Sequence, residues 1–111
     1  MKLLSLNSCH VPDDLASVSS ARDEINPEAA GLSTQQRDRI WQAVERVYRS
    51  GASPAITLCV RRHGKIILNR AIGHAVGNGP DDSPSTPKVL ATPDTRICLF
   101  SASKVVTAML V

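Results

Sequence analysis

Residues Pro54–Ala75, PAITLCVRRHGKIILNRAIGHA, decide how this chain folds. Two β-rich runs, 54–62 and 65–75, flank the dipeptide His63-Gly64, the length of connection that a tight hairpin turn needs. Such a turn holds its central residues at positive φ. Glycine adopts that conformation freely, and histidine tolerates it better than most residues. The first run is apolar on both faces, Ile56, Leu58 and Val60 on one and Ala55, Thr57 and Cys59 on the other, so it is expected to be covered on both sides. Arg61, Arg62, His63 and Lys65 gather at the tip and read as a wet turn rather than a phosphate or lipid site.

Working outward, the segment before the hairpin, LSTQQRDRIWQAVERVYRSG (32–51), predicts a helix of about four turns. Ser33 and Gln36 have capping-box spacing. Ile40, Trp41, Val44, Val47 and Tyr48 recur on one stripe, and Gly51 supplies a left-handed stop. Residues 1–31 are polar and without period, punctuated by Pro12, Pro27 and Gly31, and are expected to form a loosely ordered arm ahead of a domain at 32–111. After the hairpin, residues 76–95 hold four prolines and two glycines and read as a long loop. Gly73, Gly77 and Gly79 lack the spacing of a dinucleotide fingerprint or a P-loop. A short extended piece, Arg96–Phe100, is expected to run into a helix at Ser101. The order of helix, hairpin, loop, strand and helix start predicts an α+β fold.

Composition excludes several function classes. A net charge of +3 hints at an anionic partner, but the cations alternate with carboxylates (Arg22-Asp23-Glu24, Arg37-Asp38-Arg39, Glu45-Arg46), as on a solvated face. Aromatic residues make up 3% of the chain, too few for base-stacking platforms, so no nucleic-acid partner is expected. The apolar runs are far shorter than the roughly 20 residues of a membrane span. Cys9, Cys59 and Cys98 form no C-x-x-C pair, and Cys59 and Cys98 are expected as buried free thiols in a reducing compartment. His10, His63 and His74 have no metal-ligand spacing. Leu3, Leu4 and Leu6 follow one lysine, but Asn7, Ser8 and His10 end the run below the roughly 7–15 apolar residues of an export signal. Leu6-Asn7-Ser8-Cys9 lacks the apolar stretch that a lipoprotein cleavage site would follow. A cytoplasmic protein is expected.

The residues that point to chemistry are Ser101 and Lys104. At the first turn of a helix, positions three apart share a side, so the lysine amine can approach the serine hydroxyl and take its proton. Backbone N–H groups at a helix start can hold the oxyanion that forms when the serine attacks a carbonyl. Ser-x-x-Lys in that setting is the pattern of nucleophilic acyl transfer. The motif alone is weak: Ser85-Thr86-Pro87-Lys88 matches it too, in a proline-rich loop that gives no helix. A capping Ser101 beside a solvated Lys104 is the plain alternative.

The combination PAITLCVRRHGKIILNRAIGHA … TPDTRICLFSASKVVTAMLV, behind an amphipathic helix, resembles the serine β-lactamase-like superfamily: penicillin-binding peptidases, class C β-lactamases and related serine esterases. Pro93, Asp94, Thr95, Ser101, Lys104, Thr107 and Ala108 stand where that pattern places P-D-T and S-x-x-K-x-x-T-A, and the likeness covers roughly 33–111. It implies the N-terminal portion of an antiparallel sheet packed by helices. It also implies Ser101 as nucleophile and Lys104 as general base, an acyl-enzyme, and a small ester or amide substrate, with no metal or organic cofactor called for. Ile97 stands where the family often has Phe. Phe100 replaces a common Ala or Gly, and the resulting F-S-x-[ST]-K order looks like the esterase branch.

The family's second motif, Tyr-x-Asn or Ser-x-Asn, and its third, Lys or His before x-Gly, would lie beyond residue 111, and Tyr48 is the only tyrosine. The chain therefore reads as the N-terminal part of a longer hydrolase and is expected to be inactive alone. A lysine free in water has a pKa near 10.4, and bringing an amine to neutrality asks for roughly 4–5 kcal/mol that an enclosing site would have to supply. Without the arm and the loop, roughly 60 residues remain, a marginal size for independent folding. An esterase is favoured over a drug-inactivating β-lactamase. A non-catalytic hydrolase remnant or small α+β interaction module stays open as the other reading.

Overall fold

The computed structural model describes residues 9–111; the export-signal and lipoprotein readings rest mainly on residues outside that range. In chain order there are a 3-10 turn at Leu15–Val18, strand β1 (Ser19–Ala21), a 3-10 turn at Pro27–Ala30, helix α1 (Thr34–Arg49), strands β2 (Ala55–Arg62), β3 (Lys65–Val76) and β4 (Val89–Leu90), a 3-10 turn at Phe100–Ala102, and helix α2 (Ser103–Leu110). The architecture is α+β: an antiparallel sheet in the order β1-β3-β2, with β4 paired to the far end of β3, and α1 laid against it. Among the described residues no helix is long and apolar enough to cross a membrane.

The hairpin forms where the sequence places it. His63 and Gly64 take φ of 51° and 75°, the mirror-image turn whose twist matches that of the strands it joins. Pairing runs from Arg62 opposite Lys65 to Ala55 opposite Gly73, with a slip between Val60 and Arg61 that leaves Ile67 as an extra residue on β3. Two of the four residues gathered at the tip have structural partners. Arg62 Nε donates to the Ala30 carbonyl at 2.9 Å and Lys65 Nζ to that of Ala29 at 3.1 Å, so both fasten the end of the Pro27–Ala30 turn.

Helix α1 opens on the expected reciprocal cap. Ser33 Oγ accepts from the Gln36 amide at 3.1 Å, and Gln36 Oε1 accepts from the Ser33 amide at 2.9 Å. Gly51, at φ 72°, ends the helix region. Ser33→Ala is expected to lower folding stability by about 1 kcal/mol and Ser33→Gly by only a few tenths, because glycine keeps the cap's backbone geometry. Urea melts of the three proteins check this; equal losses for both variants would remove the cap from the account.

Trp41 and Tyr48 carry the buried side of α1 into a core shared with Leu68 and Ile72 of β3 and with Leu15 and Val18. Those last two residues correct the expected loosely ordered arm. Ser19, Ser20 and Ala21 pair with Ile72, Ala71 and Arg70. The Arg22 amide then donates to Asn69 O at 3.1 Å and that of Ile25 to Ile66 O at 3.0 Å, so residues 19–25 run along β3. Strand pairing uses backbone groups that every residue carries, and a single 3-10 turn burying Leu15 and Val18 leaves no periodic trace. The folded unit therefore starts well before residue 32.

Glu24 locks this segment down. Its carboxylate accepts from Arg70 Nε at 2.8 Å, from Arg70 Nη2 at 3.0 Å and from the Asn69 amide at 2.8 Å, while the Arg70 guanidinium lies 5.6 Å from the centre of the Trp41 ring. Burial alone would raise the Glu24 pKa, but the two Arg70 bonds and the Asn69 amide outweigh it and hold the pKa below its ordinary value.

Two further expectations are corrected at β2. As the outer strand of the sheet it is covered only in part: α1 crosses one face, and Ile40, Ala43, Val44, Val47, Ile56 and Leu58 line an open apolar groove there. Its other face shows Cys59 to solvent, and Cys98 is exposed as well, so neither is a buried thiol. A strand apolar on both faces states what it needs; among the described residues the second layer is missing.

Candidate active site

The chain enters the candidate site through Ala91. This residue is fully buried; its amide donates to the Gly73 carbonyl at 2.9 Å and its carbonyl accepts from Ser20 Oγ at 3.0 Å. The next residues close on themselves. The Thr92 amide donates to Thr95 Oγ1 at 2.8 Å, the Thr95 amide to Thr92 O at 3.0 Å and the Asp94 amide to Thr92 Oγ1 at 3.3 Å. Arg22 Nη1 pairs with Asp94 Oδ2.

Beyond Thr95 the expected extended piece at Arg96–Phe100 forms no strand, and its last two residues leave the extended region. Among the described residues no strand pairs with it, Leu99 sits in the helical region (φ −90°, ψ −11°), and Phe100 turns to φ 48°. Left-handed backbone at a residue with a bulky side chain costs about 1–2 kcal/mol, and it falls on the residue just before the candidate nucleophile.

Ser101 lies in the 3-10 turn Phe100–Ala102 and Lys104 in the first turn of α2, a single turn further on. Both are exposed, and among the described residues neither Ser101 Oγ nor Lys104 Nζ enters a hydrogen bond. The Ala102 amide donates to Leu99 O, and the Ser103 amide is directed at the Phe100 and Ser101 carbonyls, so these two donors are satisfied inside the turn. Ser103 Oγ donates to Phe100 O at 2.6 Å and Thr107 Oγ1 to Ser103 O at 3.2 Å, which ties the polar residues of the motif to their own helix. Helix α2 buries nothing: Val105, Val106, Met109 and Leu110 are all more than half exposed.

The second match to the motif is not brought together. Lys88 Nζ donates to the carbonyls of Ser83 and Thr86, at 3.3 and 3.2 Å, while Ser85 Oγ faces Ser83 Oγ. That loop borders a cavity of about 310 Å³ lined by His10, Asn78, Asp82 and Lys88 among others. Asn78, buried, closes it by bonding the amide and carbonyl of His10. Nearby, burial and then the charges of Lys88 and His10 lower the His74 pKa. Among the described residues no group of three His, Cys, Asp or Glu could hold a metal ion.

Sequence reasoning missed Ser20 and Arg22. Neither has a local signal, because each meets its partner about 70 positions further along. No curated relative and no solved structure matches the chain. The family model described as Beta-lactamase matches residues 35–111, a span that holds all of α1 but its first residue, the hairpin, the Ala91–Thr95 segment and the Ser101 turn. With more than half its length matched, the chain belongs to the β-lactamase family.

Proposed function

We propose that this chain carries the nucleophile and base of a serine acyl hydrolase. Ser101 Oγ attacks the substrate carbonyl as its proton passes to the Lys104 amine, an acyl-enzyme forms, and water releases the acid. The observation that carries this reading is the placement of Ser101 and Lys104 one turn apart, across a turn entered by left-handed backbone at Phe100. The order Phe100-Ser101-Ala102-Ser103-Lys104 favours esters over β-lactams as substrates, by its likeness to the esterase branch.

We further propose that the 111-residue chain does not turn over alone. A base in open water and two satisfied amides leave little of the 10²–10³-fold that about one oxyanion donor supplies.

The test is stoichiometric trapping, which registers a slow nucleophile that turnover would miss. A fluorophosphonate reporter incubated with the chain, followed by peptide mapping, is expected to mark Ser101 in preference to the other serines. Labelling should vanish in Ser101→Ala and fall in Lys104→Met by about two- to tenfold, less than the roughly 10²–10⁴-fold that general-base assistance contributes in complete sites, because the amine is open to water here. The same chain should leave a chromogenic acetate ester unhydrolysed. Label spread evenly over the serines would favour the non-catalytic reading, with Ser101 merely part of a helix start.

A further inference from the structure

We infer that Ser20 and Arg22 are positioning residues for the Ser101 turn, a role that rests on the reading of Ser101 as nucleophile. From Arg96 onward, the hydrogen bonds among the described residues are internal to the turn and α2, and the last residues fixed to the sheet before Ser101 are Ala91–Thr95. How that segment is held therefore sets where Ser101 emerges.

Three ties hold it. Gly73 O receives the Ala91 amide from the β3 side. The other two come from the N-terminal strand: Ser20 Oγ to Ala91 O at 3.0 Å, and Arg22 to Asp94. The strand that supplies them is itself fixed. Ser20 pairs with Ala71, and the Arg22 amide bonds to Asn69 O. Asp23, at φ 58°, then turns the backbone, and Glu24 clamps Arg70. Residues 20–24 thus grip β3 and the segment leading to Ser101 at once.

Arg22 and Asp94 are both more than half exposed, and such a pair contributes little to global stability. Its effect is local, because a segment joined at few points moves when one is removed. Loss of Arg22 is expected to slow Ser101 labelling by about two- to fivefold, the range an exposed ion pair commands.

The experiment compares the wild-type chain with Arg22→Ala, Ser20→Ala and the charge exchange Arg22→Asp/Asp94→Arg. It follows amide hydrogen exchange at residues 91–95 and the rate of fluorophosphonate labelling of Ser101. Faster exchange at 91–95 in both single variants, with unchanged protection in the β2–β3 hairpin, is the expected result. Slower labelling in Arg22→Ala, with exchange and labelling both recovered by the charge exchange, completes it. A generally loosened fold would not recover when the charges are swapped. Exchange at 91–95 that no variant alters, or labelling that stays at the wild-type rate, overturns the inference and leaves Ser101 as nucleophile. A wild-type chain in which Ser101 takes no label overturns the hydrolase reading instead, and the exchange data still decide whether residues 20 and 22 hold the segment.

Discussion

Gly73→Ala should cost about 2–5 kcal/mol of folding stability. An added Cβ would stand 2.1 Å from the Pro54 carbonyl oxygen and 2.9 Å from Tyr48 Cε2. Neither neighbour can retreat. The Pro54 carbonyl accepts the His74 amide at 2.8 Å, and Tyr48 is fully buried. The backbone at residue 73 has φ 99°, which side chains rarely adopt, so strain of about 1–3 kcal/mol adds to an overpacking cost of similar size. For a unit this small the sum takes most or all of the net stability. Gly64→Ala is the control. It shares a positive φ of 75° but would meet nothing within 4 Å, so only the backbone term applies, about 1–2 kcal/mol. Denaturant midpoints by circular dichroism separate the two, and a Gly73→Ala midpoint at or above that of Gly64→Ala would mean β3 is not pressed against Pro54.

The second large effect is at Arg70. Removing its side chain leaves the Glu24 carboxylate in a mostly buried site with one amide for company, and strips the cation from the face of Trp41. Fully buried pairs broken in this way cost about 3–5 kcal/mol; the residual exposure of both side chains brings the expectation for Arg70→Ala at pH 7 to about 2–3 kcal/mol. The pH dependence gives the sign. Glu24 is held below its ordinary value of 4.5, so its ionised form favours the fold; that contribution is present above pH 4.5 and fades as pH falls through the lowered folded value. In Arg70→Ala the burial that opposes ionisation acts with less to counter it, and protonation relieves it. The gap between wild type and variant should therefore narrow below pH 4.5. A gap constant from pH 7 to the acid limit would show that Arg70 acts through packing alone.

Local features of this fold were legible in the sequence and non-local ones were not. Ser33 with Gln36, Gly51 and the His63-Gly64 turn concern residues within a few positions of one another, and each formed where the pattern put it; of the expected stripe Trp41 and Tyr48 are buried, Ile40 and Val44 partly so, and Val47 is more than half exposed. The pairing of Ser19–Ala21 with β3 joins residues some fifty positions apart through backbone groups, so the polar side chains there gave no sign of it. Cys59 and Cys98 failed for a related reason. Their apolar surroundings imply a covering layer, and that layer is not among the described residues. At the candidate site the spacing of Ser101 and Lys104 could be read directly. What surrounds them could not, since exposure of an amine and satisfaction of the Ala102 and Ser103 amides depend on how the turn winds.

The placement of the aromatic side chains has an optical consequence. The chain holds one tryptophan and one tyrosine, both buried on α1 and seven positions apart, or roughly 10 Å along the axis. Energy passed from Tyr48 to Trp41 will therefore track whether α1 stays wound, while the wavelength of the Trp41 emission follows whether the helix is docked on the sheet. Beyond residue 95 the single aromatic ring is Phe100, which emits too weakly to compete. Fluorescence melts will thus register the helix leaving the sheet and stay silent about the serine turn, whose loosening calls for a labelled or isotopic readout.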